Sequence, residues 1–173
     1  MQIRATMAAV ASPATVTHAV PMSATTGYYR IRFAADPVQL IFFRAGLNSW
    51  LRGLRWPEPD RVDAVLAISE ACTNSVQHAY PIGEPGDVDV TGRLVVDETT
   101  RRIVVVVRDE GQWRSRPNGG GYGLTTVREC MADVRIRHDV DGTVVTMTSR
   151  AVPVLDVSGG DAPGRPAPAQ DSG

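Results

Sequence analysis

The chain has 173 residues, 43% of them hydrophobic, with 18 basic groups against 19 acidic ones. That length suits one ordinary domain with tails, and the even charge gives no electrostatic case for nucleic acid as the main ligand. Every basic residue is arginine, so the absence of lysine excludes a P-loop, the strand lysine of eukaryotic-type protein kinases and any Schiff-base lysine.

Residues 1–27 are rich in Ala, Thr, Ser and Pro without a period and read as a flexible leader. The stretch 28-YYRIRF-33 alternates as a strand does. Asp36 before Pro37 signals a helix start, a capping carboxylate followed by proline in the first turn. Leu40, Phe43, Leu47, Trp50 (or Leu51) and Leu54 follow at helical steps, giving an amphipathic helix to about Gly53. The segment 55-RWPEPD-60 breaks it. A second helix is expected from about Pro59 to Ala79, with Val62, Val65, Leu66, Ala71, Cys72 and Val76 on its buried side. After the loop 81-PIGEPGD-87, two neighbouring strands read as 88-VDVTGRLVVDE-98 and 102-RIVVVVRD-109. The second is a continuous apolar run, as a central strand should be. The polar, glycine-rich loop 110-EGQWRSRPNGGG-121 leads into a third helix, 122-YGLTTVRECMA-132. Strands 133-DVRIRHD-139 and 143-TVVTMTSR-150 close the domain around an Asp-Gly hairpin signal. The Pro/Gly/Ala/Asp-rich end, 153–173, reads as a disordered tail. The folded part is therefore expected over 28–152.

Strands come largely in hairpins, and the helices are too few in the right places to serve as crossovers. The expected class is α+β, a two-layer sandwich with helices on one face of a mixed, mostly antiparallel sheet. No run approaches the roughly 18 apolar residues of a membrane span. The N-terminus has no continuous apolar core after Arg4. Cys72 and Cys130 are far apart and lack zinc spacing. They read as buried thiols in a reducing cytoplasm, and the protein is expected to be cytoplasmic.

Three short patterns carry chemistry. In 66-LAISEACTNSVQHAY-80, Glu70, Asn74 and His78 recur every fourth residue, a shallow polar stripe beside the apolar one. In 107-VRDEGQW-113, an acid leaves a buried strand two residues before a glycine. Such a carboxylate can accept from an exocyclic amine while glycine lets the backbone approach a base. In 119-GGGYGLTTV-127, glycines run into a helix whose free backbone amides and dipole suit phosphate. Each pattern alone is common: a solvated helix face, an ordinary turn, a glycine loop.

Together, in this order, they resemble the GHKL superfamily of ATP-binding domains, with its Bergerat-type fold. Within it they look most like the bacterial anti-sigma factor serine kinases. The resemblance covers about residues 28–150. It rests on Glu70 to Asn74 with the pair His78-Ala79, on Asp109 and Gly111, on Gly121, Gly123 and Leu124, and on the closing 142-GTVV-145. It implies ATP with Mg²⁺ as cofactor and catalysis by Glu70 as the group that orients or deprotonates an attacking serine hydroxyl. Asn74 would be a Mg²⁺ ligand. Asp109 would fix adenine, and Gly111 would let the base in. Gly121, Gly123 and the amides of Leu124 and Thr125 would hold phosphate oxygens. Residues 112–120 would form a short lid. In it Arg114 and Arg116 either offset phosphate charge or belong to a solvated loop. Trp113 stands where a further glycine is often found and either stacks over the base or anchors the lid, the second reading being preferred. His78 is read as a structural hydrogen-bonder at a helix C-terminus rather than a base. Trp50 and Trp56 are read as packing or dimer residues.

The function implied is an anti-sigma regulatory factor, a homodimer with protein serine kinase activity. It would sequester a sigma factor and phosphorylate a serine on its antagonist protein. Two other functions remain open on the residues: a catalytically silent, ATP-dependent binding module, and an ATPase module serving a phosphatase or sensor chain. Retention of Glu70 favours the kinase, because binding alone needs no base.

Overall fold

The structure is a computed structural model, described over residues 27–81, 84–112 and 121–155. Strand β1 (Tyr28–Ala34) is followed by helices α1 (Gln39–Gly53) and α2 (Glu58–His78). Strands β2 (Asp87–Val96) and β3 (Thr100–Asp109) form a hairpin. Helix α3 (Gly121–Cys130), the hairpin β4 (Asp133–Asp139) and β5 (Gly142–Thr148), and a short β6 (Val152–Pro153) complete the order.

The sheet runs β1-β2-β3-β5-β4, with β6 paired to the start of β3. Among the described strands every pairing is antiparallel, so the expectation of a mixed sheet is corrected. The chain path explains this. Two helices separate β1 from β2, so the chain returns to reverse its direction. One helix separates β3 from β4, which makes those two parallel, and β5 inserts between them.

Register places the apolar residues in rows across one face. Ile31, Val90, Val107, Val145 and Ile136 lie opposite one another, strand to strand. Tyr29, Gly92, Val105, Met147 and Val134 form the next row. Period-two alternation keeps such rows on one side. The helices cover that side, and the buried cluster joins them to it through Phe43, Leu47, Leu51, Ala67, Ile68 and Val127. Gly92 has a packing reason: a side chain there would meet the Trp50 ring, which stacks on Tyr29 with centroids 5.3 Å apart. Trp50 and Trp56 are both core residues, 6% and 4% exposed, which decides for packing between the two readings.

The expected apolar face of α1 is buried in full at Leu40, Phe43, Leu47, Trp50 and Leu51. Asp36 does cap, but it caps a turn ahead of the helix: its carboxylate accepts the Val38 N–H at 2.8 Å, and α1 begins at Gln39. Helix α2 departs from expectation more. Its buried side is Ala64, Ala67, Ile68, Ser69, Ala71, Cys72, Ser75 and Val76, whereas Val62 and Leu66 are 56% and 43% exposed. Small residues let α2 lie close on the sheet between α1 and α3, so its deepest line follows size rather than hydropathy.

Strand β6 was not expected from the sequence. It is held by Arg101, which is 5% exposed and has no acidic partner among the described residues. Its guanidinium donates to the carbonyls of Leu54, Arg55 and Pro153 and lies 5.0 Å over the Trp56 ring. One side chain thus ties the α1–α2 turn, the start of β3 and β6 together. Among the described residues no helix is long and apolar enough to cross a membrane.

Candidate functional site

Four chain segments meet at one end of the sheet: the C-terminal half of α2, the end of β3, the start of α3 and the β4–β5 turn. Each meeting has a residue-level cause. Gly142, at φ +122°, sits so close that a side chain would strike the Asp109 carbonyl. Gly111 lies against the end of α2, where an added Cβ would come within 2.2 Å of the Ala79 carbonyl oxygen. The reading of Gly111 as room for a base therefore meets a second, packing reason for glycine, and one that also explains Ala79. Arg150 donates to Asp63 of α2 at 2.9 Å and to the Glu129 carbonyl of α3, pinning the lower ends of those helices.

The structure brings the first and third patterns into contact. A methyl at Gly123 would lie 3.1 Å from Glu70 Oε2 and 3.6 Å from Asn74 Nδ2. Glu70 and Asn74, one turn apart on α2, thus face the first turn of α3, where backbone amides have no helical acceptor. Both side chains are half-buried. Gly121 and Leu124 lie in that same first turn, and Thr125, which follows, is exposed. His78 is half-buried at the last position of α2.

The second pattern reaches the same place from the sheet. Asp109 ends β3 and is 1% exposed. Its Oδ2 accepts the Ser75 hydroxyl at 2.6 Å, and its Oδ1 accepts the Gly111 N–H at 3.2 Å. A buried carboxylate needs such donors, or its desolvation is uncompensated. Asn74 and Ser75 are consecutive. The 100° turn between them aims one at α3 and the other at β3. Trp113, Arg114 and Arg116, with the rest of the expected lid up to Gly120, lie outside the described residues.

Two residues at this end were not singled out from the sequence. Ser75 looked like an ordinary helix residue, since nothing local signals a partner 34 positions away. Tyr80 donates its hydroxyl to the Asp87 carbonyl at 2.6 Å and accepts the Glu110 N–H at 3.1 Å. It holds the β2 entry beside the β3 exit, and burial pushes its phenol above the ordinary value. A cavity of about 670 Å³ adjoins Tyr80, lined also by Arg32, Asp36, Asp87 and Glu110, but not by Glu70, Asn74, Asp109 or Gly111. Burial pushes both thiols up; Cys72 is fully buried, as expected, whereas Cys130 is only partly buried, which departs from the expectation of two core thiols.

Residues 33–149 match the histidine kinase-like ATPase domain. The chain therefore belongs to that family, whose domains are ATP-binding. Similar proteins include Serine-protein kinase RsbW of Bacillus licheniformis, 28% identical over 145 residues, covering 73% of this chain and 88% of the relative. The protein of the same description from Bacillus subtilis (strain 168) shows the same identity and coverage. Among solved structures, the RsbU and RsbW domains of Rv1364c from Mycobacterium tuberculosis superpose with a TM-score of 0.60 at 29% identity. That match covers 77% of this chain and 35% of the other, so the chain spans about a third of that solved one. The resemblance to GHKL domains and to the anti-sigma serine kinases is borne out in these relatives, as is the α+β layering.

Proposed function

We propose that this chain is a Mg²⁺-ATP-dependent protein serine kinase of the anti-sigma type. In this reading it sequesters a sigma factor and phosphorylates a serine on the antagonist protein that competes for it. It acts in the cytoplasm as a homodimer. The observation that carries the reading is the close approach of Gly123 to Glu70 and Asn74. The structure leaves just enough room there for a carboxylate and an amide to face the first turn of α3.

The residues present suit the nucleotide. Asp109 is a buried acceptor on one side of the C-terminal half of α2, and the amides that open α3 offer donors on the other. They also suit Mg²⁺. No group of three or more potential His, Cys, Asp or Glu ligands occurs among the described residues. One amide oxygen, from Asn74, matches an ion that keeps several waters and takes its remaining ligands from phosphates. When bound, the ion would neutralise charge that develops on the transferring phosphoryl group. Glu70, one turn before Asn74, would accept the proton of an incoming serine hydroxyl and orient it. Gly121, Gly123 and the amides of Leu124 and Thr125 would hold phosphate oxygens, and Asp109 would take the 6-amino group of adenine. Arg116 is assigned to the same phosphates on its place in the lid sequence.

The test is ATP titration with and without Mg²⁺ on wild type and Glu70→Gln, followed by γ-labelled ATP with candidate antagonist proteins. Binding by both variants, with phosphoserine formed only by wild type, is the expected result. Binding without transfer to any antagonist would leave an ATP-dependent binding module and overturn the kinase assignment. Transfer at the wild-type rate by Glu70→Gln would remove Glu70 from catalysis.

A further inference from the structure

We infer that Ser75 is the positioning residue that gives the site its preference for a 6-amino purine. The inference rests on the reading of Asp109 as the base-binding acceptor. Asp109 accepts hydrogen bonds from the Gly111 N–H and from the Ser75 hydroxyl. The Gly111 bond is local, two residues on, and at 3.2 Å it turns with the loop. The Ser75 bond is long-range, short at 2.6 Å, and comes from a residue 1% exposed in the last turn of α2, on its buried side. It is therefore the contact that fixes the carboxylate plane against the rigid part of the fold.

The direction of the proton matters. The Asp109 carboxylate has acceptors only, so the hydroxyl must donate. With one oxygen so occupied and the other facing the Gly111 amide, the remaining lone pairs point in set directions. They attract an N–H donor and repel a carbonyl oxygen. That is a discrimination between adenine, with an amine at position 6, and a 6-oxo purine. Sites built on a buried hydrogen-bonding group reject the wrong partner strongly, because the group is otherwise left unpaired. Ser75 also links base and phosphate recognition. It follows Asn74 directly, so the same turn of α2 that faces α3 anchors Asp109, and the two ends of the nucleotide site cannot shift independently.

The test uses the full chain as wild type, Ser75→Ala and Ser75→Thr, titrated with ATP, with ITP and with Mg²⁺-tripolyphosphate as a base-free probe. Thermal melting confirms folding of each variant. Removal of the hydroxyl is expected to weaken ATP about tenfold, the scale of one hydrogen bond to a charged group. ITP is expected to change less than about threefold, and tripolyphosphate not at all, because neither uses the oriented acceptor. Threonine keeps the hydroxyl and is expected to restore the ATP preference. Equal loss of ATP and ITP in a folded Ser75→Ala protein, or an unchanged ratio, would overturn the inference. Failure of wild type to bind ATP or tripolyphosphate would instead overturn the proposed function, and this inference with it.

Discussion

Gly123→Ala separates the site from the fold more sharply than any other single change. The added methyl lies 3.1 Å from Glu70 Oε2 and 3.6 Å from Asn74 Nδ2. An ordinary carbon–oxygen contact is a few tenths of an ångström longer, so something must give. The atom in the way ends a flexible, half-buried side chain, not backbone, and can rotate aside. The backbone gains, because alanine inside a helix is better than glycine by about 0.5–1 kcal/mol. The net effect on folding is therefore between zero and about 1 kcal/mol of stabilisation, a rise in melting temperature of at most about 5 °C. Function should move the other way. The methyl crowds the two α2 side chains where they face the first turn of α3 and displaces the groups assigned to the ion and the reacting hydroxyl. A loss of about tenfold or more in ATP affinity is expected, corresponding to about 1.4 kcal/mol. Differential scanning fluorimetry and calorimetric titration measure the two quantities on one preparation. Wild-type ATP affinity in the alanine variant would refute the placement of phosphate at Gly123. A melting temperature lowered by several degrees would refute the claim that Glu70 yields.

Gly111→Ala is expected to show the opposite pattern, since its Cβ would sit 2.2 Å from the Ala79 carbonyl oxygen, a backbone atom that cannot turn away. A destabilisation of about 2–4 kcal/mol is expected by urea unfolding, and a variant as stable as wild type would mean that α2 and the β3 exit separate easily. Arg101→Met removes a buried guanidinium that donates to three backbone carbonyls. It should cost about 3 kcal/mol in the same assay while leaving ATP affinity of the folded protein unchanged; a selective loss of ATP binding would contradict its purely structural placement.

Much of the architecture was legible because it is local. Alternation in 28–33, helical spacing from Leu40 to Leu54 and the Asp141-Gly142 turn each depend on neighbours along the chain, and each element forms within a residue or two of expectation. The three motifs were legible for a related reason: their residue types and order suffice to suggest nucleotide chemistry. The errors fall where packing outranks pattern. Val62 and Leu66 look like core by hydropathy, yet a helix held between two others turns a side rich in alanine and serine to the core, with Ile68, Cys72 and Val76 among them. Strand β6 depends on Arg101 reaching across the fold, and no short window contains that information.

The amino-acid sequence by itself determined the class of protein: an α+β domain with an acid-amide helix, a strand-ending acid and a glycine-opened helix, in that order. Tertiary structure alone decided which of those residues meet. It set Gly123 against Glu70 and Asn74, Gly111 against Ala79, and Ser75 in contact with Asp109 across 34 positions of chain. Spacing along a helix or strand follows from fixed rise and twist. Contact between distant segments depends instead on how three helices settle on one sheet face, and that is settled by side-chain volume and buried hydrogen bonds summed over the whole core.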